Sequence, residues 1–260
     1  SMFQMNGFYI TQPFFSNAME RLDIEPKIVR VGDFKSAVEP FTREDLSEEN
    51  QLQLQALLDA QNEKFSSGVG EGRGMDPAEI RRLASEDPVL SAEAAYEAGL
   101  VDALLYSNEI EDAIKERLNV NGDLNTIGVP QYAKVPASDA GVTPSEEGTI
   151  AVVYAEGNIM PGESENDPFG GGGNAVGSVT FAEALEQART DESVKAIVIR
   201  VNSPGGSAAA SETMWQAVQR AGDEKPVIVS MGDLAASGGY YLAAGANTIV
   251  AQHNTITGSI

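Results

Sequence analysis

Apolar positions follow two rhythms along this chain: helical in the first half, then a repeating strand, loop and helix in the second. Leu54, Leu57 and Leu58, with Gln61, recur at helical spacing and predict a long amphipathic helix over 45–64. Asp76-Pro77-Ala78-Glu79 predicts a helix start, with Asp as the cap, Pro where no N–H is needed and Glu near the positive end. Ser91 is expected to cap a short helix closed by Gly99, ahead of a buried Leu100-Val101. Ser107 opens a further helix with Ile110, Ala113, Ile114 and Leu118 on its apolar face. Lys27 to Gly32 reads as a short strand ending at the glycine. Residues 120–148 lose periodicity and are punctuated by Asn121-Gly122, Pro130, Pro136 and Pro144, which predicts a linker.

Beyond the linker, Thr149–Ala155, Ala196–Val201 and Val227–Met231 are apolar strands. Residues 180–189 and 208–221 are helical, and a small-residue helix is expected from about Ala236. Residues 161–178, with Gly170 to Gly173, read as a loop; no Lys-Ser/Thr follows, which argues against a phosphate cradle. Met214, Trp215 and Val218 are expected in the core. Val-rich strands alternating with helices predict an α/β fold with mainly parallel pairing.

Charge and composition narrow the chemistry. With 17 Lys+Arg against 39 Asp+Glu the net charge is −22, which argues against a nucleic-acid partner because phosphate recognition needs basic stripes. There is no Cys and one His, His253, so disulfides, Cys/His zinc sites and Cys nucleophiles are excluded. Carboxylate metal sites and Ser, Thr or Lys chemistry remain. No apolar run approaches the roughly 20 residues of a membrane helix.

The most informative stretch, MGDLAASGGYY at 231–241, sets Ser237 between a buried strand and a helix start. Unpaired helix amides and the positive dipole end there favour an alkoxide or oxyanion, although the local pattern alone reads first as a simple N-cap. One β-α unit earlier, Ser203-Pro204-Gly205-Gly206-Ser207 forms a second glycine turn between strand and helix, and its amides can face the same crevice. A serine nucleophile needs a base. His253 lies in a polar loop and reads better as exposed, though a triad through it stays open. Lys35 sits in the apolar run FKSAVEPF at 34–41, where desolvation is expected. An ordinary lysine is neutral in only roughly one molecule in 2,500 at pH 7, so a lysine base requires such a setting.

FKSAVEPF around Lys35, RVNSPGGS at 200–207, MGDLAASGGYY at 231–241 and TGSI at 257–260 together resemble the bacterial signal peptide peptidase A (protease IV) family, in the family's order. The resemblance implies that Ser237 is the nucleophile, Lys35 the general base, and Ser259 the serine that orients the lysine. It also implies an oxyanion hole from the N–H of Gly238 with Gly206 or Gly205. Long members of the family are tandem Clp-protease/crotonase-like domains of repeated β-β-α units. Residues 1–119 would then be the end of a first domain, 120–148 a linker and 149–260 the start of a second. By the same resemblance the chain is a middle slice without the family's N-terminal anchor. The whole protein would be a homo-oligomer, a tetramer, on the periplasmic side of the bacterial inner membrane. It would act on hydrophobic peptides such as signal-peptide remnants without cofactor or metal, in a cleft for which Phe34, Phe41, Tyr240 and Tyr241 are candidates. A phage-type capsid-maturation peptidase, a crotonase-type acyl-CoA enzyme and a non-catalytic scaffold are the alternatives.

Overall fold

Side-chain caps start three of the described helices in the first part of the chain. The computed structural model describes residues 2–141, 148–164 and 174–259. By internal contacts the chain forms two units, Ser1–Ile28 with Ser36–Ser145, and Val29–Lys35 with Glu146–Ile260. In the first, strand β1 (Met2–Gln4) precedes helices α1 (Ser16–Arg21), α2 (Glu39–Thr42), α3 (Glu48–Arg73) and α4 (Pro77–Glu86). Strand β2 (Val89–Ser91) and helices α5 (Ala92–Glu97), α6 (Ser107–Leu118) and α7 (Val129–Tyr132) follow. The hydroxyl of Ser47 caps α3, the Asp76 carboxylate caps α4 and Ser91 caps α5, each by accepting a first-turn amide. Helix α3 outruns the predicted 45–64 because Gly68 and Gly70 do not stop it. Val69 packs on the core, and the helix ends only at Gly74 in the left-handed region. β1 and β2 pair antiparallel, and Met5, Ile80, Leu83, Leu90, Ala95 and Leu100 close the core.

One expectation is corrected here. Residues 27–32 form no strand; Gly32 takes φ +94° and the strip stays irregular and unpaired. The segment 120–148 contains helix α7 and a 3-10 turn at Ala137–Ala140, both built from local i+3 and i+4 bonds. On α6, Ile110, Ile114 and Leu118 are exposed.

The second unit contains β3 (Thr149–Glu156), β4 (Asn158–Met160), β5 (Ala175–Gly177), α8 (Ser178–Thr190), β6 (Val194–Ser203) and α9 (Ala208–Gly222). It continues with β7 (Val227–Ala236), α10 (Gly238–Ala243), β8 (Thr248–Val250) and β9 (Ile256–Gly258). β3, β6, β7 and β8 form a parallel sheet in that order, and β9 pairs with the far end of β7. This is the α/β, parallel class the sequence predicts. Alternation decides the burial: Ile197, Ile199, Val201, Val227, Val229 and Met231 point to one face. There they meet Phe181 and Leu185 of α8, Met214 and Val218 of α9, and Leu242 of α10. The opposite face carries Ile150, Val152 and Tyr154, which are 62 %, 51 % and 61 % exposed.

Part of the expected 161–178 loop is strand β5, paired parallel with β4; Gly170 to Gly173 lie outside the described residues. β7 also runs past its expected end at Met231. Its register against β6 jumps from Val201↔Met231 to Ser203↔Ala235, so Gly232 to Leu234 bulge out before the strand resumes. The Asn202 side chain accepts the Leu234 N–H at 3.2 Å and Thr255 Oγ1 donates to the Gly232 carbonyl at 2.8 Å, filling the gap.

Candidate active site

The bulge and the pairing with β9 carry β7 as far as Ala236, and Ser237 stands alone between that strand and α10. Its backbone takes φ 51° and ψ −119°, a conformation costly for any residue with a Cβ. One tertiary and one helical bond hold it there: the Ser237 N–H donates to the Gly258 carbonyl at 2.7 Å, and the Ser237 carbonyl accepts the Tyr241 N–H, the first bond of α10, at 2.9 Å. The local reading of Ser237 as an N-cap is not met, since its side chain makes no capping hydrogen bond. The positive φ turns the side chain away from the helix amides it would otherwise serve. A strained serine on a sharp strand-to-helix turn is the geometry of a nucleophile elbow. The residue is half-buried, and the amide of Gly238 opens α10, where first-turn N–H groups lack intrahelical partners.

The glycine turn at 203–207 packs directly on this elbow. A Cβ on Gly205 would lie 2.6 Å from Gly238 N and 2.7 Å from Ser237 Cβ, so only glycine admits the approach. The amides of the turn are then accounted for one by one. Pro204 has none, Gly205 N–H donates to Ser203 Oγ at 3.1 Å, and Ser207 N–H donates to the Ile159 carbonyl at 2.9 Å. Among the described residues the N–H of Gly206 has no partner. Ile159 N–H binds the Gly205 carbonyl at 2.9 Å, and in a trans peptide this points the Gly206 N–H the opposite way. Of the two glycines considered from sequence, Gly206 is therefore the one with an amide to offer.

Ser259 follows Gly258, the residue whose carbonyl holds Ser237 N–H, so β9 brings it beside the elbow; it is exposed and has φ 62°. Lys35 belongs with Val29–Lys35 to the same unit as Ser237. The expected desolvation is absent: Lys35 is exposed, Phe34 is 54 % exposed, and Phe41 stacks on Phe15 at 6.1 Å instead. Tyr240 is half-buried. Tyr241 packs on Trp215 at 6.0 Å and donates its hydroxyl to Glu212. That bond, with desolvation and the carboxylate charge, pushes the Tyr241 phenol above its ordinary value. His253 is exposed. Among the described residues no cluster of His, Asp or Glu is placed to hold a metal, and no helix is long and apolar enough to cross a membrane.

Sequence reasoning did not single out Asn202, Ser203 or Ser211. Ser203 and Ser211 are fully buried polar residues, and Ser211 Oγ lies where a Cβ on Gly238 would sit, at 2.2 Å. Only their neighbourhood to the glycine turn hinted at a role.

The profile of peptidase family S49 matches residues 1–121 and 219–260. The chain belongs to peptidase family S49. Over 98 % of its length it is 36 % identical to the serine protease SPPA, chloroplastic, of Arabidopsis thaliana, of which it covers 37 %. It is likewise 36 % identical over 98 % of its length to Protease 4 of Salmonella typhi, covering 41 % of it. The S49 chain thus spans well under half the length of these relatives. Among solved structures, a mutant of the 1510-N membrane-bound stomatin-specific protease is 25 % identical with a TM-score of 0.31, over 41 % of this chain and 44 % of that one.

Proposed function

We propose that this S49 chain is the catalytic portion of a serine endopeptidase that cleaves hydrophobic peptides, signal-peptide remnants among them, through a Ser237/Lys35 dyad. The observation that carries the reading is the strained Ser237 elbow set against a glycine turn with one unclaimed amide. In the reaction, neutral Lys35 Nζ takes the Ser237 proton as Oγ bonds to the scissile carbonyl carbon. The carbonyl π pair moves to oxygen, where the N–H groups of Gly206 and Gly238 receive it; losing one such donor costs about 10²–10³ in rate. Collapse breaks the C–N bond, and the lysine ammonium gives its proton to the leaving amine. Water then repeats the sequence on the acyl-enzyme. Ser259, beside the elbow, would orient the lysine.

Because Lys35 is exposed in the free chain, its desolvation in this reading comes from the bound peptide or a neighbouring copy. The whole protein would be a homo-oligomer held at the periplasmic face of the bacterial inner membrane. The bare apolar face of the β3–β8 sheet supports a larger assembly, since parallel sheets usually have both faces covered. A fluorophosphonate probe tests the chemistry. Stoichiometric labelling of Ser237, lost in Ser237→Ala and reduced to background in Lys35→Ala, is expected. An assembly that is folded and unlabelled, or labelling that survives Lys35→Ala unchanged, would overturn the dyad.

A further inference from the structure

Ser203 ends β6, is fully buried, and lies outside the dyad and the two oxyanion amides. Its hydroxyl joins two loops that are distant in sequence. Oγ donates to the Gly157 carbonyl at 2.6 Å, in the turn between β3 and β4, and accepts the Gly205 N–H at 3.1 Å. The Gly157 N–H in turn donates to the Asn202 carbonyl at 3.0 Å, so the two loops are tied in both directions.

The tie matters because of what it restrains. Gly205 and Gly206 have no side chains to limit their backbone, so nothing intrinsic keeps the peptide between them in one orientation. Two external bonds supply that restraint. Ile159 N–H holds the Gly205 carbonyl, and Ser203 Oγ holds the Gly205 N–H, one peptide earlier. A hydroxyl has the one proton and the lone pairs needed to serve a carbonyl and an amide together. An apolar side chain would leave the buried Gly205 N–H and the half-buried Gly157 carbonyl without this partner.

We infer that Ser203 is a positioning residue for the reaction proposed above. It touches no substrate, and it locks the glycine turn so that the Gly206 N–H is already aimed when charge develops on the substrate oxygen. The role rests on the peptidase reading. Electrostatic preorganisation of this kind acts on the transition state and leaves ground-state peptide binding alone.

The experiment compares wild-type protein, Ser203→Ala, Ser203→Cys and Ser203→Thr on one peptide substrate and one peptide aldehyde, whose hemiacetal with Ser237 has a tetrahedral carbon bearing the oxygen that the oxyanion amides receive. In Ser203→Ala, kcat is expected to fall by about 10- to 10²-fold with KM within a factor of two, a part of the loss from deleting a donor outright. Aldehyde affinity falls in step, and Ser203→Thr, which keeps the hydroxyl, recovers most of the loss. A folded Ser203→Ala with undiminished kcat overturns the role. So does a loss confined to KM, or one that spares aldehyde affinity. Should the alanine variant fail to fold, Ser203→Cys, similar in volume and a weak hydrogen-bonding group, decides: wild-type kcat there overturns the role. Wild-type protein that neither turns over peptide nor binds the aldehyde overturns the peptidase reading itself, a separate outcome from an active wild type with an indifferent Ser203.

Discussion

At the scale of single residues, the site depends on a serine held where a glycine would be more comfortable. A residue with a Cβ in such a conformation costs on the order of 1–3 kcal/mol. Ser237→Gly should therefore be inactive and yet more stable than Ser237→Ala, which keeps the strain, by about 1 kcal/mol after the extra backbone entropy of glycine is subtracted. Thermal melts of the two variants check this; a glycine variant melting at or below the alanine variant would show that φ 51° costs nothing. Single residues are also where the sequence was most readable. Asp76 and Ser91 act as the caps their neighbours predict because a cap needs only the next three residues. The same logic fails for Ser237, because the bond from its N–H to Gly258 comes from a strand that local pattern cannot see. It fails for Ser203 as well, whose partner Gly157 lies 46 residues away.

Among elements, the N-terminus of α3 is pinned by a buried acid. Glu39, fully buried, accepts from Ser47 Oγ, from the Ser47 N–H at 3.2 Å and from Asn50 Nδ2 at 2.8 Å. Burial pushes its carboxyl up, but the hydrogen bonds from Ser47 and Asn50 and the charge of Arg43 outweigh this and hold it below the usual value. A carboxyl lowered in the folded state binds its proton less readily than in the unfolded chain. Its contribution is therefore complete above the unfolded pKa of about 4.3 and disappears as pH falls through the folded value. Glu39→Gln should cost roughly 2 kcal/mol at pH 7, and its stability should fall less than wild type between pH 5 and 3. Urea titrations across that range measure it; parallel slopes would remove Glu39 from the acid response. The FKSAVEPF run drew interest for Lys35, whereas its best-packed polar group is the glutamate four residues on. Strand β7 gives the complementary lesson. Gly232 looks like a strand end, whereas the Asn202 and Thr255 side chains fill the bulge and the strand resumes beyond it. The Val-rich strands alternating with helices, by contrast, predicted the parallel pairing that β3, β6, β7 and β8 adopt.

For the molecule as a whole, a net charge of −22 coexists with an uncovered, apolar sheet surface carrying Ile150, Val152 and Tyr154. The apolar runs marked these segments as strands, yet nothing in those runs says that helices α8, α9 and α10 settle on one side of the sheet. The two properties oppose each other in solution. Mutual repulsion between acidic copies reaches about 30 Å at 0.01 M salt and only about 10 Å at 0.1 M, while attraction between apolar surfaces is little weakened by such salt. Dilute buffer should thus keep this chain dispersed, and moderate salt should drive copies together, the reverse of an association held by ion pairs. Sedimentation velocity across that range, repeated with Tyr154→Lys, would trace any clustering to the oily side of the sheet, and clusters that dissolve as salt rises would point to charge instead.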